Sequence, residues 1–263
     1  MSKLADKIRK ITRVEPAPLG FGVAVARPRP PSLLLMVHGP ASGMRPPVDL
    51  ASRGLDAVLV SLDPEKEPTE AGRWVKAAGD LPCGLRIPSA GGETVAALKQ
   101  AGVDFLAVEA EAAGAGVLLD TEIGYVLALT DEPSDTVLRA MADFPLDALW
   151  LADWHGPLTV RLLLELRRIY LLARAPLLVP VRADIGGGAL EALRDVGIVG
   201  VAVDGHESGA WDGLAALRQA IDSLPPPRTR RREERPDAVL PVRAVASSSA
   251  EDEEEEEEGE DFP

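Results

Sequence analysis

Four stretches of this chain share one plan: GLDAVLVSLD at 54–63, GVDFLAVEAE at 102–111, PLDALWLADW at 145–154 and GIVGVAVDGH at 197–206. Each opens on Gly or Pro, passes through about five apolar residues and reaches an acid within its last three positions, and the starts lie 48, 43 and 52 residues apart. A period of that size is what two successive strand–helix units produce. The strands that fall between the repeats are equally legible as SLLLMVH at 32–38, CGLRIP at 83–88, IGYVLALT at 123–130 and PLLVPVR at 176–182.

Eight strands are therefore expected. Helical patterns lie between most of them, at 48–53, 69–78, 93–101, 134–142, 158–172 and 188–196, with a last one at 210–224. Short apolar strands alternating with helices imply a parallel sheet covered by helices. Over residues 31–224 this α/β pattern resembles the TIM-barrel superfamily, the (β/α)8 barrel, in architecture alone; no motif of a named enzyme family is met residue by residue. The fourth unit is the thinnest, because AAGAGVLLDTE leaves room for one helical turn at most. An open doubly wound sheet is the alternative, but its first strand–helix turn carries a phosphate-binding glycine fingerprint that HGPASGMRPP lacks.

Residues 1–30 form the lead-in. Leu4, Ile8 and Ile11 share one helical face, which predicts a short amphipathic helix packed on the domain, and no continuous apolar run behind the cationic residues suggests a secretory signal. Residues 225–263 carry six arginines and thirteen acids, half of the net charge of −14, and are expected to be a disordered, charged tail. Its ten acids between Glu251 and Asp261 would solubilise the chain or meet a basic protein partner. The acidic balance argues against nucleic acid, whose binding needs cationic surface. The richest apolar stretch, 158–181, is broken by five charges, so no membrane span is expected. A single cysteine, Cys83, fits a reducing cytoplasm.

In a barrel, side chains alternate between the lumen and the helix layer, and catalytic groups sit at the carboxyl ends of the strands. Assigning the apolar class outward (Val58, Val60, Leu62; Leu106, Val108; Val199, Val201, Val203) sends Glu109 and Glu111, Asp204 and His206 inward. The same rule sends His38, Arg86 and Arg182 to the mouth. Strand six is ambiguous, because Trp150 and Trp154 compete with Asp153 and His155 for the lumen. The chain's three histidines all follow strands, the first, sixth and eighth, and the first and eighth are neighbours in a closed barrel. The expected site is thus a cup in which His38, His155 and His206 move protons, Glu109, Asp153 and Asp204 orient or polarise, and Arg86 and Arg182 hold an anion. The bland reading of His-Gly-Pro, which occurs twice, is a turn that ends a strand.

Gly186, Gly187 and Gly188 follow the seventh strand and open a helix, where free backbone N–H groups can cradle a phosphate. Asp204, after the eighth strand, would oppose that anion. No His-x-His, paired cysteines or His-Glu-x-x-His appears, so no metal site is assigned, and the sequence identifies no cofactor. None of the six lysines lies on a strand, which disfavours Schiff-base chemistry, and no nucleophile elbow is present. The helix at 158–172 carries a second apolar strip, Val160, Leu164 and Leu171, expected to meet another subunit. Two functions follow: a cytoplasmic enzyme doing acid/base chemistry of lyase, isomerase or hydrolase type on a small anionic metabolite, a phosphorylated one being the narrower case, or a non-catalytic barrel acting through its charged tail and long helix.

Overall fold

A computed structural model describes residues 2–12, 32–40, 46–47, 50–62, 67–87, 89–152 and 157–227. Residues 1–227 group into one compact unit, and the expected disordered tail from residue 228 onward lies outside the described residues. In the first unit eight parallel strands close in sequence order: β1 (Leu34–Pro40), β2 (Ala57–Ser61), β3 (Cys83–Ile87), β4 (Phe105–Glu109), β5 (Gly124–Leu129), β6 (Ala148–Leu151), β7 (Leu177–Val181) and β8 (Ile198–Asp204). β8 pairs back onto β1, with His38 opposite Asp204. Helices α1 (Lys3–Thr12), α2 (Glu67–Ala78), α3 (Gly92–Gln100), α4 (Asp135–Met141), α5 (Val160–Ala173), α6 (Gly187–Val196) and α7 (Ala210–Asp222) follow the expected order. Single 3-10 turns replace a helix at Leu50–Arg53 and at Ala115–Leu119, the fourth unit.

Alternation along the strands builds two cores. Val58, Val60, Leu85, Ile87, Leu106, Val108, Leu149, Leu177, Val179, Val201 and Val203 join the helix layer. Leu34, Met36, Leu59, Phe105, Val126, Trp150 and Leu178 fill the lumen, together with alanines at 57, 107, 128, 148 and 202. The strands are thus buried on both faces, which is why they read as near-continuous apolar runs. The outward assignment of Val199 is corrected. Leu177 pairs with Ile198 but Leu178 with Gly200, so Val199 is an extra residue in a bulge, and its side chain belongs to the inner cluster. A bulge inverts parity on one side of itself, and the sequence does not mark where it falls.

The amino-terminal helix plugs the barrel from below. Leu4 and Ile8 are buried in the inner cluster and Ile11 packs against it. Asp104, just before β4, caps this helix by accepting the N–H groups of Lys3 (2.8 Å) and Leu4 (3.0 Å) and the Ser2 hydroxyl (2.9 Å). The third position of three of the four sequence repeats thereby acquires a role. Asp56 accepts from Leu35 N–H (3.0 Å) and pairs with Arg218 (3.0 Å) and Lys7 (3.2 Å), while Asp147 accepts from Tyr125 N–H (3.0 Å). These acids stitch the amino-terminal rim, the face a barrel uses for stability.

Burial raises the Asp147 carboxyl above its ordinary pKa, with the Tyr125 N–H and Arg9 pulling the other way. A raised carboxyl penalises the fold when ionised: its contribution is whole below the unfolded pKa and is lost as pH rises through the folded one. Asp147→Asn keeps an oxygen for Tyr125, so it is expected to melt above the parent protein at neutral pH and to lose that advantage below the usual carboxylate range. Calorimetry across pH checks this, and a lower Tm at neutral pH would contradict it.

Candidate functional site

At the carboxyl end of the sheet, β6 and β7 pair only through Leu149–Leu177 and Trp150–Leu178. Beyond that ladder β7 continues with Pro180, which has no N–H to donate. Here the mouth opens into a cavity of about 610 Å³ between β7, β8, β1 and α6. Its walls are apolar, from Leu158, Pro180, Val181, Ile185, Ala189 and Leu193, and its polar groups are His38, Arg182, Asp184, Asp204, His206 and Glu207. A concave apolar site with a few convergent polar groups is the ordinary form of a small-molecule pocket.

Two histidines reach this cavity from neighbouring strands. His38, near the end of β1, is half-buried and meets the Trp150 indole edge-on, with ring centroids 5.1 Å apart. Its carbonyl accepts the Gly205 N–H (2.8 Å), which ties the β8–α7 turn to β1. In that turn Asp204 Oδ1 accepts the His206 backbone N–H (2.9 Å) and lies 3.8 Å from His206 Nδ1. The carboxylate thereby fixes the β8–α7 turn and the position of the imidazole within it.

Arg182 directly follows β7, with its side chain 72% exposed. Asp184 grips its guanidinium bidentately (3.0 and 3.1 Å) and Glu207 adds a third contact (3.1 Å). Pairing of this kind holds Arg182 cationic, and the Arg182 guanidinium holds the Asp184 carboxyl below the usual carboxylate range. Neither acid was marked by the sequence. Asp184 lies in the loop beyond β7, where strand alternation no longer applies, and Glu207 has the parity opposite to His206.

Other expected site residues lie elsewhere. Arg86 and Glu109, on adjacent strands β3 and β4, bind one another (2.9 Å) with about a quarter of each side chain exposed, and neither lines the cavity. Glu111 is exposed just past β4. Gly186 precedes α6 and Gly187 and Gly188 begin it; they too lie outside the lining, although their neighbours Ile185 and Ala189 belong to it. None of the three has positive φ, and a Cβ on any of them would meet no atom within 4 Å. Neither the backbone nor protein packing thus demands glycine there. Asp153, Trp154 and His155 fall outside the described residues. Trp150 takes the lumen of strand six, with Ala148 and Ala152.

Among the described residues no three His, Cys, Asp or Glu side chains converge in a way that could hold a metal ion. Cys83 is buried at the start of β3 in the helix-layer core, and burial pushes its thiol up to about 12, which leaves it a packing residue. No helix among the described residues is long and apolar enough to cross a membrane.

No protein-family model matches the chain, and no curated protein matches it significantly. Solved structures do match. The tryptophan synthase α-subunit from the hyperthermophile Pyrococcus furiosus superposes with a TM-score of 0.53 at 13% identity, covering 74% of this chain and 98% of that one. Two mutant forms of the same subunit give 0.54 at 14% and 0.55 at 15% identity, each over 73% of this chain and 97% of the other. Identity this low establishes the shared barrel architecture and leaves the chemistry to the site.

Proposed function

We propose that this TIM barrel is a cytoplasmic enzyme that performs acid/base chemistry, of lyase, isomerase or hydrolase type, on a small anionic metabolite bound at the β7–β8–β1 mouth. The observation that supports this most is that His38 and His206, remote in sequence, open on one cavity beside Asp204. His206, oriented by Asp204, is the proton carrier. His38, braced against Trp150, is the second acid/base group, and the apolar wall takes the body of the substrate. Asp153 and His155 are assigned to the same mouth by strand order, and Arg86 with Glu109 to its β3–β4 side.

Turnover of a substrate found by metabolite screening is expected to fall by about a hundredfold or more in His206→Gln and in His38→Gln, the usual scale for losing a positioned acid or base. Both variants should retain the parental melting temperature. Unchanged turnover in both would remove these histidines from the mechanism.

The anion is assigned to Arg182 and the first turn of α6, where glycines leave backbone N–H groups accessible. Since Arg182 already holds two carboxylates, an incoming anion competes with their charge. Glu207→Gln is accordingly expected to tighten the binding of inorganic phosphate about tenfold, by removing a competing charge a few ångströms away. Neutralising Glu191, which lies on α6 but outside the cavity lining, should change it far less. Titration calorimetry reads both, and equal affinities in parent and Glu207→Gln would count against an anionic substrate.

A non-catalytic barrel acting through its contacts is the second reading. One observation favours it: α5 exposes the expected apolar strip, with Val160 at 74%, Leu164 at 67% and Leu171 at 54%. On this reading a second copy of the chain would cover α5, and a basic partner would meet the acidic segment 251–261.

A further inference from the structure

The outer face of α5 carries more than apolar exposure. Leu166, Ile169 and Ala173 are buried against the barrel, and Val160, Leu164 and Leu171 stand on the opposite side, at i, i+4 and i+11. They form a line about 16 Å long. Adjacent helices do not cover it, because their contacts with α5 are made at its flanks. On the α4 side Arg168 binds Asp135 (2.8 Å) and Glu132 (3.3 Å); on the α6 side Arg167 lies over the Tyr170 ring and reaches the Val196 carbonyl (3.5 Å).

Charge marks the two ends of the line. Arg161 and Arg174 are exposed, and neither guanidinium has a hydrogen bond or ion pair among the described residues. Arg174 is the single non-glycine residue with positive φ among the described residues, at 52°. It occupies a left-handed position at the helix end, a conformation in which glycine meets no Cβ penalty. Arg161, Arg167 and Arg174 thus line the apolar strip, while Arg168 is paired with Glu165, Glu132 and Asp135, on a chain whose net charge is −14.

We propose that this face docks an acidic amphipathic helix of another protein, with apolar side chains at i, i+4 and i+11 laid along Val160, Leu164 and Leu171 and carboxylates meeting Arg161, Arg167 and Arg174. A second copy of the chain fits less well. Two antiparallel α5 helices would set Arg161 of each against Arg174 of the other, and three side chains supply far less than the ~800 Å² per partner of a stable dimer. An anionic membrane, being an extended surface, would also meet the acidic remainder of the barrel, whereas a single helix meets α5 alone.

The test uses the full chain, a synthetic amphipathic helix peptide with a leucine line flanked by glutamates, the lysine-flanked counterpart, and phosphatidylserine vesicles. Fluorescence anisotropy is expected to show binding of the glutamate peptide alone, weakened at least about tenfold by Leu164→Asp and by Arg161→Glu with Arg174→Glu. Unchanged melting temperatures show that the variants fold. Equal binding of both peptides, no loss in Leu164→Asp, or no binding of the glutamate peptide overturns the proposal. A dimer that Leu164→Asp dissolves assigns the face to a second copy, and vesicle binding lost in that variant assigns it to a membrane; either result overturns it too.

Discussion

Trp150→Ala is expected to lower the unfolding free energy by about 3–5 kcal/mol, the range for truncating a fully buried large aromatic. Trp150 is 2% exposed inside the barrel, where many neighbours are alanines at 57, 107, 128, 148, 152 and 202. Alanines cannot reach into the space the indole would vacate, so the site collapses poorly, and the cost belongs near the top of that range. The same substitution removes the ring against which His38 rests, 5.1 Å away. Urea denaturation should therefore report the stability loss while NMR reports a shifted His38 imidazole signal. Trp150→Phe, which keeps an aromatic face, should lose less on both measures. A Trp150→Ala protein within 1 kcal/mol of the parent, a change typical of exposed positions, would mean that the indole does not fill the lumen.

Gly84→Ala should cost about 3 kcal/mol, at the upper end for adding a methyl group to a packed interior. A Cβ on Gly84 would lie 2.1 Å from Cε2 and Cζ of Phe105, and Phe105 is fully buried within the closed barrel. Backbone strain plays no part, since Gly84 has no positive φ; the cost is steric. Phe105→Leu makes room at that spot, so the double variant should be more stable than the two separate losses predict, and a double-mutant cycle measures the difference. Additive losses would show that the ring, or the strand, moves aside without help from residue 105.

These two positions also mark how far the sequence could be read. Period and parity placed Gly84 on β3 and Phe105 inward on β4. They could not show that the missing side chain of one makes room for the ring of the other. Strand order similarly brought His38 and His206 together, because a barrel that closes must place its first strand beside its last. Parity failed at Val199, where a bulge inserts one residue, and it was silent at strand six, where tryptophans and polar residues compete. It also missed Asp184 and Glu207, which act through ion pairs across two loops, and it gave no hint that the aspartates opening three repeats cap α1 or hold a neighbouring strand.

By itself, then, the sequence determined the barrel and its strand order, the polar identity of the strand ends, and an apolar α5 strip opposite its buried face, since each follows from a periodicity that local chain geometry enforces. Tertiary structure decided which polar ends share a cavity. It paired Arg86 with Glu109 outside the lining of the histidine cavity and surrounded Arg182 with carboxylates. Such choices depend on shear, bulges and side-chain reach between strands far apart in sequence, and no local pattern encodes them.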